Sequence, residues 1–284
     1  NPFYTLMASG IESNKALCNQ FQTMEQDEAK EYFQGIYPAT EGIADTLLRT
    51  PSPNVLIVQL ESQSSIFIEE LGGISGVTPK QSQLISEGIL FEQVYANSFR
   101  TDRGTVSTFS GNISYPTTSL MLTPEAYTKL PSLAKSLSSA GYTTEYVYGG
   151  NLKGMQADKY LHAMGYTHQT DMHHFAPKGA KIISAAPDSL SAQHIFQLIK
   201  QKPLDEKWHI AYQTITSHEP FRAPSRILEN DTLNVFAYTD AAIGRLVDSL
   251  RTIPQVWDNM LMVLIPDHGC MFRRCYECTD YFHI

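Results

Sequence analysis

Residues able to bind a metal ion or to activate a hydroxyl group follow five apolar, strand-like segments of the sequence. The segments are VLIVQL, VYANSF, TEYVY, AYQTIT and MLMVLIP. After them come, in chain order, Glu61 with Ser62, Thr101 within R-T-D-R, Asn151 within G-G-N, His218 within S-H-E-P, and the adjacent pair Asp267 and His268. Loops at the carboxyl ends of strands share one rim of an open α/β sheet, so these side chains are predicted to form one site.

Two of these groups suit a divalent cation. The Asp267-His268-Gly269 turn offers a carboxylate and an imidazole, a donor pair that fits Zn²⁺ or Mn²⁺. Glu61 ends the first apolar segment, where a buried carboxylate is costly without a cation or hydrogen bonds. Taken singly, each residue is equally well explained by an ordinary turn or a helix cap.

The segment NSFRTDRGTVSTFSGN, residues 98–113, places Thr101 at or near a predicted helix N-terminus. Free backbone N–H groups and the helix dipole favour negative charge there, which would lower the cost of a threonine alkoxide and hold a phosphate. A plain N-cap is the competing interpretation of Thr101. His218 could bind a metal, contact phosphate oxygens or transfer a proton, or it could be a loop histidine without a role.

The composition is that of a globular domain with no preference for polyanions. The chain has 284 residues, 42% of them apolar, and a net charge of −8. The charge argues against nucleic acid as a partner. No apolar run reaches the roughly 18 residues of a membrane-spanning helix. The cysteines Cys18, Cys270, Cys275 and Cys278 leave a zinc site, disulfides and thiols all open.

The elements that must position the polar groups alternate between strand and helix. Strands are predicted at 55–60, 89–95, 143–148, 208–216 and 259–265. Helices are predicted at 80–87, 104–110, 131–140, 156–164, 188–201 and 234–252. This pattern predicts an α/β fold with a largely parallel central sheet between helices. Residues 1–50 are predicted to be a helical connector, and residues 51–284 the catalytic domain, with more chain expected beyond Ile284.

The assembled motifs resemble the lipoteichoic acid synthase branch of the alkaline phosphatase/sulfatase superfamily. NVLIVQLES is similar to the first strand of that family with its metal-binding glutamate, and SFRTDRGTVSTFSGNISYP to its nucleophile segment. YVYGGN, TITSHEPF and VLIPDHG resemble its strand with a Gly-Asn turn, its histidine motif and its Asp-His metal pair. The motifs run from residue 54 to residue 269 in the order of the family.

The resemblance implies both a fold and a chemistry. The fold would be that of alkaline phosphatases and sulfatases. One divalent metal ion, Mn²⁺ or Zn²⁺ with Mg²⁺ as a third choice, would be bound by Glu61, Thr101, Asp267 and His268. Thr101 would be the nucleophile and form a phosphothreonine; its choice over Thr105 rests on its distance from Gly111. By the resemblance His218 would contact the phosphate or glycerol of the substrate, and Arg103, Asn151 and Lys153 are further candidates for substrate binding.

The resemblance also implies a substrate class and a location. The substrate would be a lipid headgroup, such as phosphoglycerol, or another phosphodiester. The domain would lie at the extracytoplasmic face of a bacterial membrane, attached through segments outside this chain. Thr101-Asp102-Arg103 cannot supply the formylglycine of sulfatases, so sulfate ester hydrolysis is not expected. Where the family has aromatic and arginine residues that bind glycerol phosphate after the Gly-Asn turn, NLKGMQADKY offers Lys153 and Gln156 instead.

Several alternatives stay open at this stage. Within the superfamily, the chain could be a phosphodiesterase or a phosphoethanolamine transferase. A serine hydrolase built on Ser107 would be a different class of enzyme, although G-x-S-x-G is absent from the sequence. A non-catalytic binding domain on the same scaffold is the third alternative. The oligomeric state is unknown from the sequence.

Overall fold

Five parallel strands form a sheet in this computed structural model, which describes residues 24–36, 48, 50–115, 118–175 and 185–270. The order of the strands across the sheet is β3-β2-β4-β1-β5. Their bounds are β1 Asn54–Leu60, β2 Thr143–Tyr148, β3 His168–Thr170, β4 Trp208–Gln213 and β5 Met260–Pro266. The prediction of an α/β fold with a largely parallel sheet flanked by helices is confirmed.

The register of the central strands brings their carboxyl ends level with one another. β1 pairs with β5 from Asn54 opposite Met260 to Leu60 opposite Pro266. On its other side β1 pairs with β4, with Gln59 opposite Gln213. The residues that follow β1 and β5 therefore leave the sheet side by side.

Nine α-helices are described. They are α1 Gln26–Ile36, α2 Pro79–Glu87, α3 Thr101–Ser110, α4 Pro124–Tyr127, α5 Leu133–Ser139, α6 Ala157–Ala163, α7 Asp188–Gln201, α8 Asp231–Arg251 and α9 Pro254–Trp257. Short 3₁₀ turns lie at Ser65–Phe67, Glu69–Leu71, Leu120–Leu122 and Met172–Phe175. Helix α3 starts three residues before its predicted first residue, so Thr101 itself opens the helix.

The helices bury both faces of the sheet, which is why its strands are almost continuously apolar. Successive side chains of a strand point to opposite faces. In β1, Ile57 packs in the core formed with α3 and α6, whereas Leu56 and Val58 pack in the core formed with α7 and α8. Helix α3, which Thr101 opens, thus lies on the face to which the odd-numbered residues of β1 point.

Helix α1 belongs to a separate unit from the sheet. It begins with acidic residues in its first turn, and the residues from Gln26 to Gly35 are exposed. Most of the predicted connector at 1–50 lies outside the described residues, and the domain boundary stays a prediction. Among the described residues, no helix has the length and apolarity needed to cross a bilayer.

The predicted strand at 89–95 is wrong. The segment is irregular apart from an isolated bridge at Tyr95. Ile89 and Phe91 have 63% and 69% of their surface exposed. The pattern of β-forming residues is there, but a strand also needs a sheet edge to pair with, which local sequence does not reveal. The sequence analysis in turn missed β3, which has only three residues, all of them polar.

Candidate functional site

Four of the predicted site residues lie together at the carboxyl end of the sheet. Glu61 follows β1, and Asp267 and His268 follow β5, the strand paired with β1. Thr101 is the first residue of α3. The Thr101 hydroxyl donates a hydrogen bond to Glu61 Oε2 at 3.1 Å. The hydroxyl oxygen of Thr101 also lies 3.3 Å from His268 Nε2.

The ligand atoms of this cluster are close enough to share one cation. His268 Nε2 lies 3.5 Å from Asp267 Oδ2 and 3.7 Å from Glu61 Oε1. One donor atom from each of Glu61, Asp267 and His268 lies within 4.8 Å of the others. Two carboxylates, one imidazole and one hydroxyl are a donor set that suits Zn²⁺ or Mn²⁺.

His268 directs its Nε2 atom into the cluster. His268 Nδ1 lies 2.9 Å from the carbonyl oxygen of Gly269. A carbonyl oxygen can only accept, so Nδ1 carries the proton and donates it, and the lone pair is on Nε2. A hydrogen bond of this kind fixes the tautomer and the ring orientation of metal-binding histidines. With Nδ1 as the donor, the ring is oriented so that Nε2 can act as a ligand.

Backbone amides and hydroxyl groups orient the carboxylates. Asp267 Oδ1 accepts hydrogen bonds from the backbone N–H groups of Ser62 at 2.9 Å and His268 at 2.7 Å. The Ser62 hydroxyl donates to Glu61 Oε1 at 2.8 Å, and Ser62 has a positive φ of 55°. Ser217 Oγ donates to the Glu61 carbonyl oxygen at 2.6 Å. Sequence reasoning did not assign a role to Ser62 or Ser217, although both follow predicted strands next to a candidate ligand.

The second oxygen of Asp267 is unsatisfied. Asp267 and Glu61 are 2% and 1% exposed. Asp267 Oδ2 is buried and accepts no hydrogen bond from the residues that the structure describes. Burial raises the pKa of Asp267 well above its ordinary value, and the negative charge of Glu61 raises it further. An orphaned, buried carboxylate oxygen beside a second carboxylate fits a bound cation.

Helix α3 approaches the cluster closely. Arg100 precedes it in extended conformation and gives no side-chain cap, so the N-terminus of the helix stays available to an anion. A Cβ atom on Gly104 would lie 2.2 Å from the Asp267 carbonyl oxygen. Glycine at this position is therefore what lets the first turn of α3 pack directly on the turn that carries the ligands.

The predicted substrate-binding residues divide into two groups. Arg103 lies in the first turn of α3, with its guanidinium 5.6 Å from the centre of the Phe99 ring. His218 is exposed in the loop after β4, and its Nδ1 lies 2.7 Å from the Glu219 carbonyl oxygen. These two residues lie on elements that carry or touch the cluster.

The second group, Asn151 and Lys153, follows β2 and has no described hydrogen bond to the cluster. The Asn151 side chain accepts a bond from the Gly154 N–H at 2.9 Å, within its own turn. Lys153 lines a separate surface cavity of about 540 Å³ with Asp158 and His162. No described hydrogen bond joins these two residues to the cluster, and their role in substrate binding stays a prediction.

Two other sequence-based hypotheses have different outcomes. Ser107 Oγ donates to the Asn112 carbonyl oxygen at 2.9 Å and lies 3.3 Å from Ser114 Oγ. Among the described residues it contacts no histidine or aspartate, as a serine hydrolase would need. Cys270 is buried, whereas Cys18, Cys275 and Cys278 lie outside the described residues.

Comparison with known proteins supports the same fold. The sulfatase family model matches residues 53–281. A protein in the alkaline phosphatase superfamily from Vibrio parahaemolyticus is 21% identical, with a TM-score of 0.76 over 92% of this chain and 68% of that one. The lipoteichoic acid synthase LtaP from Listeria monocytogenes is 18% identical, with a TM-score of 0.70 over 81% of this chain and 64% of that one.

A third structure was obtained as a zinc complex. The C-terminal periplasmic domain of EcEptC from Escherichia coli is 17% identical, with a TM-score of 0.57 over 82% of this chain and 67% of that one. The chain thus spans about two thirds of the length of these structures. At these identities the likeness concerns the fold, and the roles assigned to individual residues stay predictions.

Proposed function

This chain belongs to the sulfatase family, and we propose that it is a metal-dependent phosphotransferase whose nucleophile is Thr101. The group transferred would be phosphoryl-linked, such as the phosphoglycerol headgroup of a membrane lipid. The family includes sulfatases, phosphoester hydrolases and transferases, so hydrolysis of a phosphodiester and transfer of phosphoethanolamine are the neighbouring possibilities. The expected membership of the sulfatase family is confirmed by the family model, and the likeness to the lipoteichoic acid synthase LtaP concerns the fold.

One observation carries the proposal. The Thr101 hydroxyl lies within 3.3 Å of both Glu61 and His268 at the N-terminus of α3. An unmodified threonine in this position favours phosphate over sulfate esters, because Thr101 cannot give the formylglycine that sulfatases use. Nucleophile, proposed ligands and helix N-terminus meet at one point, which is the arrangement that attack on a phosphate ester requires.

Glu61, Thr101, Asp267 and His268 would hold the divalent metal ion. The orphaned Asp267 Oδ2 and the lone pair of His268 Nε2 fit this assignment. When bound, a cation of this kind lowers the cost of a threonine alkoxide and of negative charge on the phosphate oxygens. The donor set is compatible with Zn²⁺ and Mn²⁺, and the zinc complex of the EcEptC domain makes zinc the first metal to test.

The reaction would proceed by double displacement. Thr101 Oγ attacks phosphorus in line, the bond from phosphorus to the alcohol of the donor breaks, and that alcohol leaves with the proton of the Thr101 hydroxyl. With a phosphodiester donor, the phosphothreonine that is formed still carries the group to be transferred as an ester. A second alcohol, or water, then attacks the phosphothreonine and restores the Thr101 hydroxyl. The N-terminus of α3 favours negative charge on the phosphate. We propose that Arg103 and His218 contact the substrate; the support is that Arg103 lies on α3 and His218 on the loop that Ser217 joins to Glu61.

We also propose that the domain acts outside the cytoplasmic membrane on a lipid headgroup. Support comes from the likeness to a lipoteichoic acid synthase and to a domain described as periplasmic. Assays with phosphatidylglycerol and phosphatidylethanolamine vesicles, each followed by release of diacylglycerol, would identify the donor headgroup. If neither kind of vesicle releases diacylglycerol but a soluble phosphodiester is turned over, hydrolysis is favoured.

The nucleophile is tested by substitution of Thr101. With bis(4-nitrophenyl) phosphate and added Zn²⁺ or Mn²⁺, Thr101→Ala should lower kcat by at least about 10³-fold, because the covalent step is lost. Thr101→Ser keeps a hydroxyl and should retain measurable turnover. Wild-type enzyme quenched during turnover should carry a 4-nitrophenyl phosphoryl group on Thr101 by mass spectrometry, because only one 4-nitrophenol leaves in the first step. The control Ser107→Ala should leave kcat within about twofold of the wild type, since Ser107 lies outside the cluster.

The proposal would be abandoned if Thr101→Ala kept more than a tenth of the wild-type kcat. Loss of activity in Ser107→Ala, together with labelling by a fluorophosphonate, would instead support a serine hydrolase. Chelation by EDTA separates the two classes as well, because only the metal-dependent enzyme should lose its activity and regain it with added Zn²⁺ or Mn²⁺.

A further inference from the structure

A buried glutamine on β1 contacts the helix that begins at the proposed nucleophile, Thr101. Gln59 is on β1, two residues before Glu61, and is 0% exposed. It points to the same face of the sheet as Ile57, the face covered by α3. An amide buried among apolar side chains lowers stability unless it is hydrogen-bonded. Its bonding partners therefore indicate what the glutamine does.

Both ends of the Gln59 amide bond to helix α3. The Thr105 hydroxyl donates to Gln59 Oε1 at 3.1 Å. Gln59 Nε2 donates to Thr108 Oγ1 at 3.2 Å. Thr101, Thr105 and Thr108 follow one another at i, i+4 and i+7, so they form one stripe along the helix. Gln59 thus fixes the rotation of α3 about its axis and its position along β1.

The spacings of the strand and the helix match at this interface. Helix α3 begins at the rim where β1 ends, so it runs back along the strand. Two residues of a strand advance about 6.6 Å, and four residues of a helix advance about 6 Å. The contact of Gln59 with Thr105 and the contact of Glu61 with Thr101 lie two residues apart on the strand and four residues apart on the helix. Holding Thr105 on Gln59 therefore places Thr101 on Glu61.

Two further polar side chains lie on the neighbouring strands at this level of the sheet. Gln213 on β4 lies opposite Gln59 in the register of the strands. Gln213 Oε1 accepts a hydrogen bond from the Tyr146 hydroxyl on β2 at 2.5 Å. Among the described residues, the hydrogen bonds of the Gln59 amide are those to Thr105 and Thr108.

We propose that Gln59 is a positioning residue for Thr101, acting through the hydroxyl groups of Thr105 and Thr108. The proposal rests on the proposed function, in which Thr101 is the nucleophile. Gln59 would not touch the substrate. Loss of its bonds would let α3 rotate or slide by a fraction of an ångström to an ångström, a displacement that can cost about 10²-fold in rate at a reacting atom.

The sharpest test changes Thr105 in two ways. Thr105→Val is isosteric but lacks the hydroxyl, whereas Thr105→Ser keeps the hydroxyl and lacks the methyl group. Thr105→Val should lower kcat for bis(4-nitrophenyl) phosphate about 10- to 100-fold, with KM changed by less than about threefold. Thr105→Ser should stay within about threefold of the wild-type kcat. Gln59→Leu should lower kcat at least as much as Thr105→Val.

A matched control separates positioning from general stability. Thr144 is a buried threonine on β2 whose hydroxyl donates to the Gly165 carbonyl oxygen at 2.6 Å, away from α3. Thr144→Val should lower the melting temperature about as much as Thr105→Val and leave kcat unchanged. Zn²⁺ affinity, measured by titration, should fall by less than kcat does in Thr105→Val, because three of the four proposed ligands, Glu61, Asp267 and His268, keep their places.

The outcomes distinguish the two proposals. If Thr101→Ala is inactive and Thr105→Val has the kcat of Thr105→Ser and Thr144→Val, only the positioning role is refuted. If Thr105→Val is slow but Thr144→Val is equally slow, the effect is one of stability and the positioning role is again refuted. If Thr101→Ala is active, the proposed function fails and the positioning role fails with it. Should Gln59→Leu fail to fold, the Thr105 pair still decides.

Discussion

Asp188 and Asp267 are both buried carboxylates near the carboxyl end of the sheet, but their oxygens are bonded differently. Asp188, 0% exposed, accepts hydrogen bonds on both oxygens. Oδ1 bonds to the Ile215 N–H at 2.8 Å, and Oδ2 to the Thr216 N–H at 3.2 Å and the Thr239 hydroxyl at 2.6 Å. Asp267 accepts hydrogen bonds on Oδ1 alone; among the described residues its Oδ2 accepts none and lies 3.5 Å from His268 Nε2.

The difference shows what distinguishes a structural carboxylate from a candidate ligand. Burial raises the pKa of both residues, so the direction of the shift does not separate them. Both carboxylate oxygens of Asp188 are hydrogen-bonded within the fold, and these bonds join α7 to the loop after β4 and to α8. Asp267 instead leaves an oxygen directed at Glu61 and His268. The first arrangement stabilises the protein, and the second is the one that we propose a cation completes.

The largest predicted effect is that of Asp267→Asn. It should lower the metal-dependent kcat by at least about 10³-fold, since it removes one proposed ligand. In the wild type, Zn²⁺ at 100 times its dissociation constant should stabilise the fold by about 2.7 kcal/mol, and the variant should lose most of this gain. Without metal, the variant should be at least as stable as the wild type, because two buried carboxylates no longer repel each other. Thermal unfolding with and without Zn²⁺ measures both effects.

A clear fall in the metal-free stability of Asp267→Asn would contradict the comparison. It would mean that this carboxylate, like Asp188, is held by the fold alone. Retention of the Zn²⁺-dependent stabilisation would remove Asp267 from the ligand set.

The opposite behaviour is expected of Asp188→Asn. The amide keeps one acceptor oxygen but turns an NH₂ group toward donors that had been satisfied, so the free energy of unfolding should fall by about 2–4 kcal/mol. Urea denaturation at pH 7 measures this loss. The milder variant Thr239→Val removes one of the bonds and should cost about 1 kcal/mol. Stabilisation by Zn²⁺ should persist in both variants, and its loss would show that the two aspartates are not independent.

The main strands could be predicted because buried parallel strands are continuous apolar runs. The segments at 55–60 and 143–148 are found within one residue of their predicted bounds. The segment at 89–95 has a similar composition but pairs through a single bridge. Composition reports the tendency to be extended, whereas pairing depends on which edge of the sheet is available.

The order of the strands explains which of the predicted site residues follow neighbouring strands. Glu61 and Asp267 follow neighbouring strands, and His218 follows β4, the other neighbour of β1. Asn151 and Lys153 follow β2, which lies two strands from β1, about 10 Å at the usual strand spacing. The rule that polar groups gather at strand ends was the same for all of these residues. The order of the strands, which depends on long-range packing, was not readable from the sequence.

Gln59 was not singled out from the sequence for a similar reason. A glutamine between apolar residues of a strand has no spacing pattern of its own. Its importance depends on Thr105 and Thr108, which lie more than forty residues away in the chain. Such a residue becomes visible only when the helix and the strand are placed together.

The smallest predicted effect concerns His209, a third buried ionisable group. His209 lies near the start of β4, at the end of the sheet opposite to the candidate site. Nδ1 lies 3.2 Å from the Val55 carbonyl oxygen and therefore donates to it, and Nε2 lies 3.1 Å from the Tyr166 hydroxyl and accepts from it. The neutral ring thus has both nitrogens satisfied, as Asp188 has both oxygens satisfied.

Burial lowers the pKa of His209 from 6.5 to about 4. Between these values the unfolded chain binds a proton that the folded protein does not, so stability falls as the pH is lowered through this window. From pH 6.5 to 5.5 the loss due to His209 should be about 1 kcal/mol. Asp240, whose pKa burial raises to about 6, acts in the opposite direction, so the wild-type profile alone does not isolate His209. The difference between wild type and His209→Gln does, because Asp240 is common to both. In urea denaturation, the free energy of unfolding of His209→Gln should fall less than that of the wild type between pH 6.5 and 5.5. If the two proteins lose the same amount, protonation of His209 does not contribute to the loss of stability at low pH.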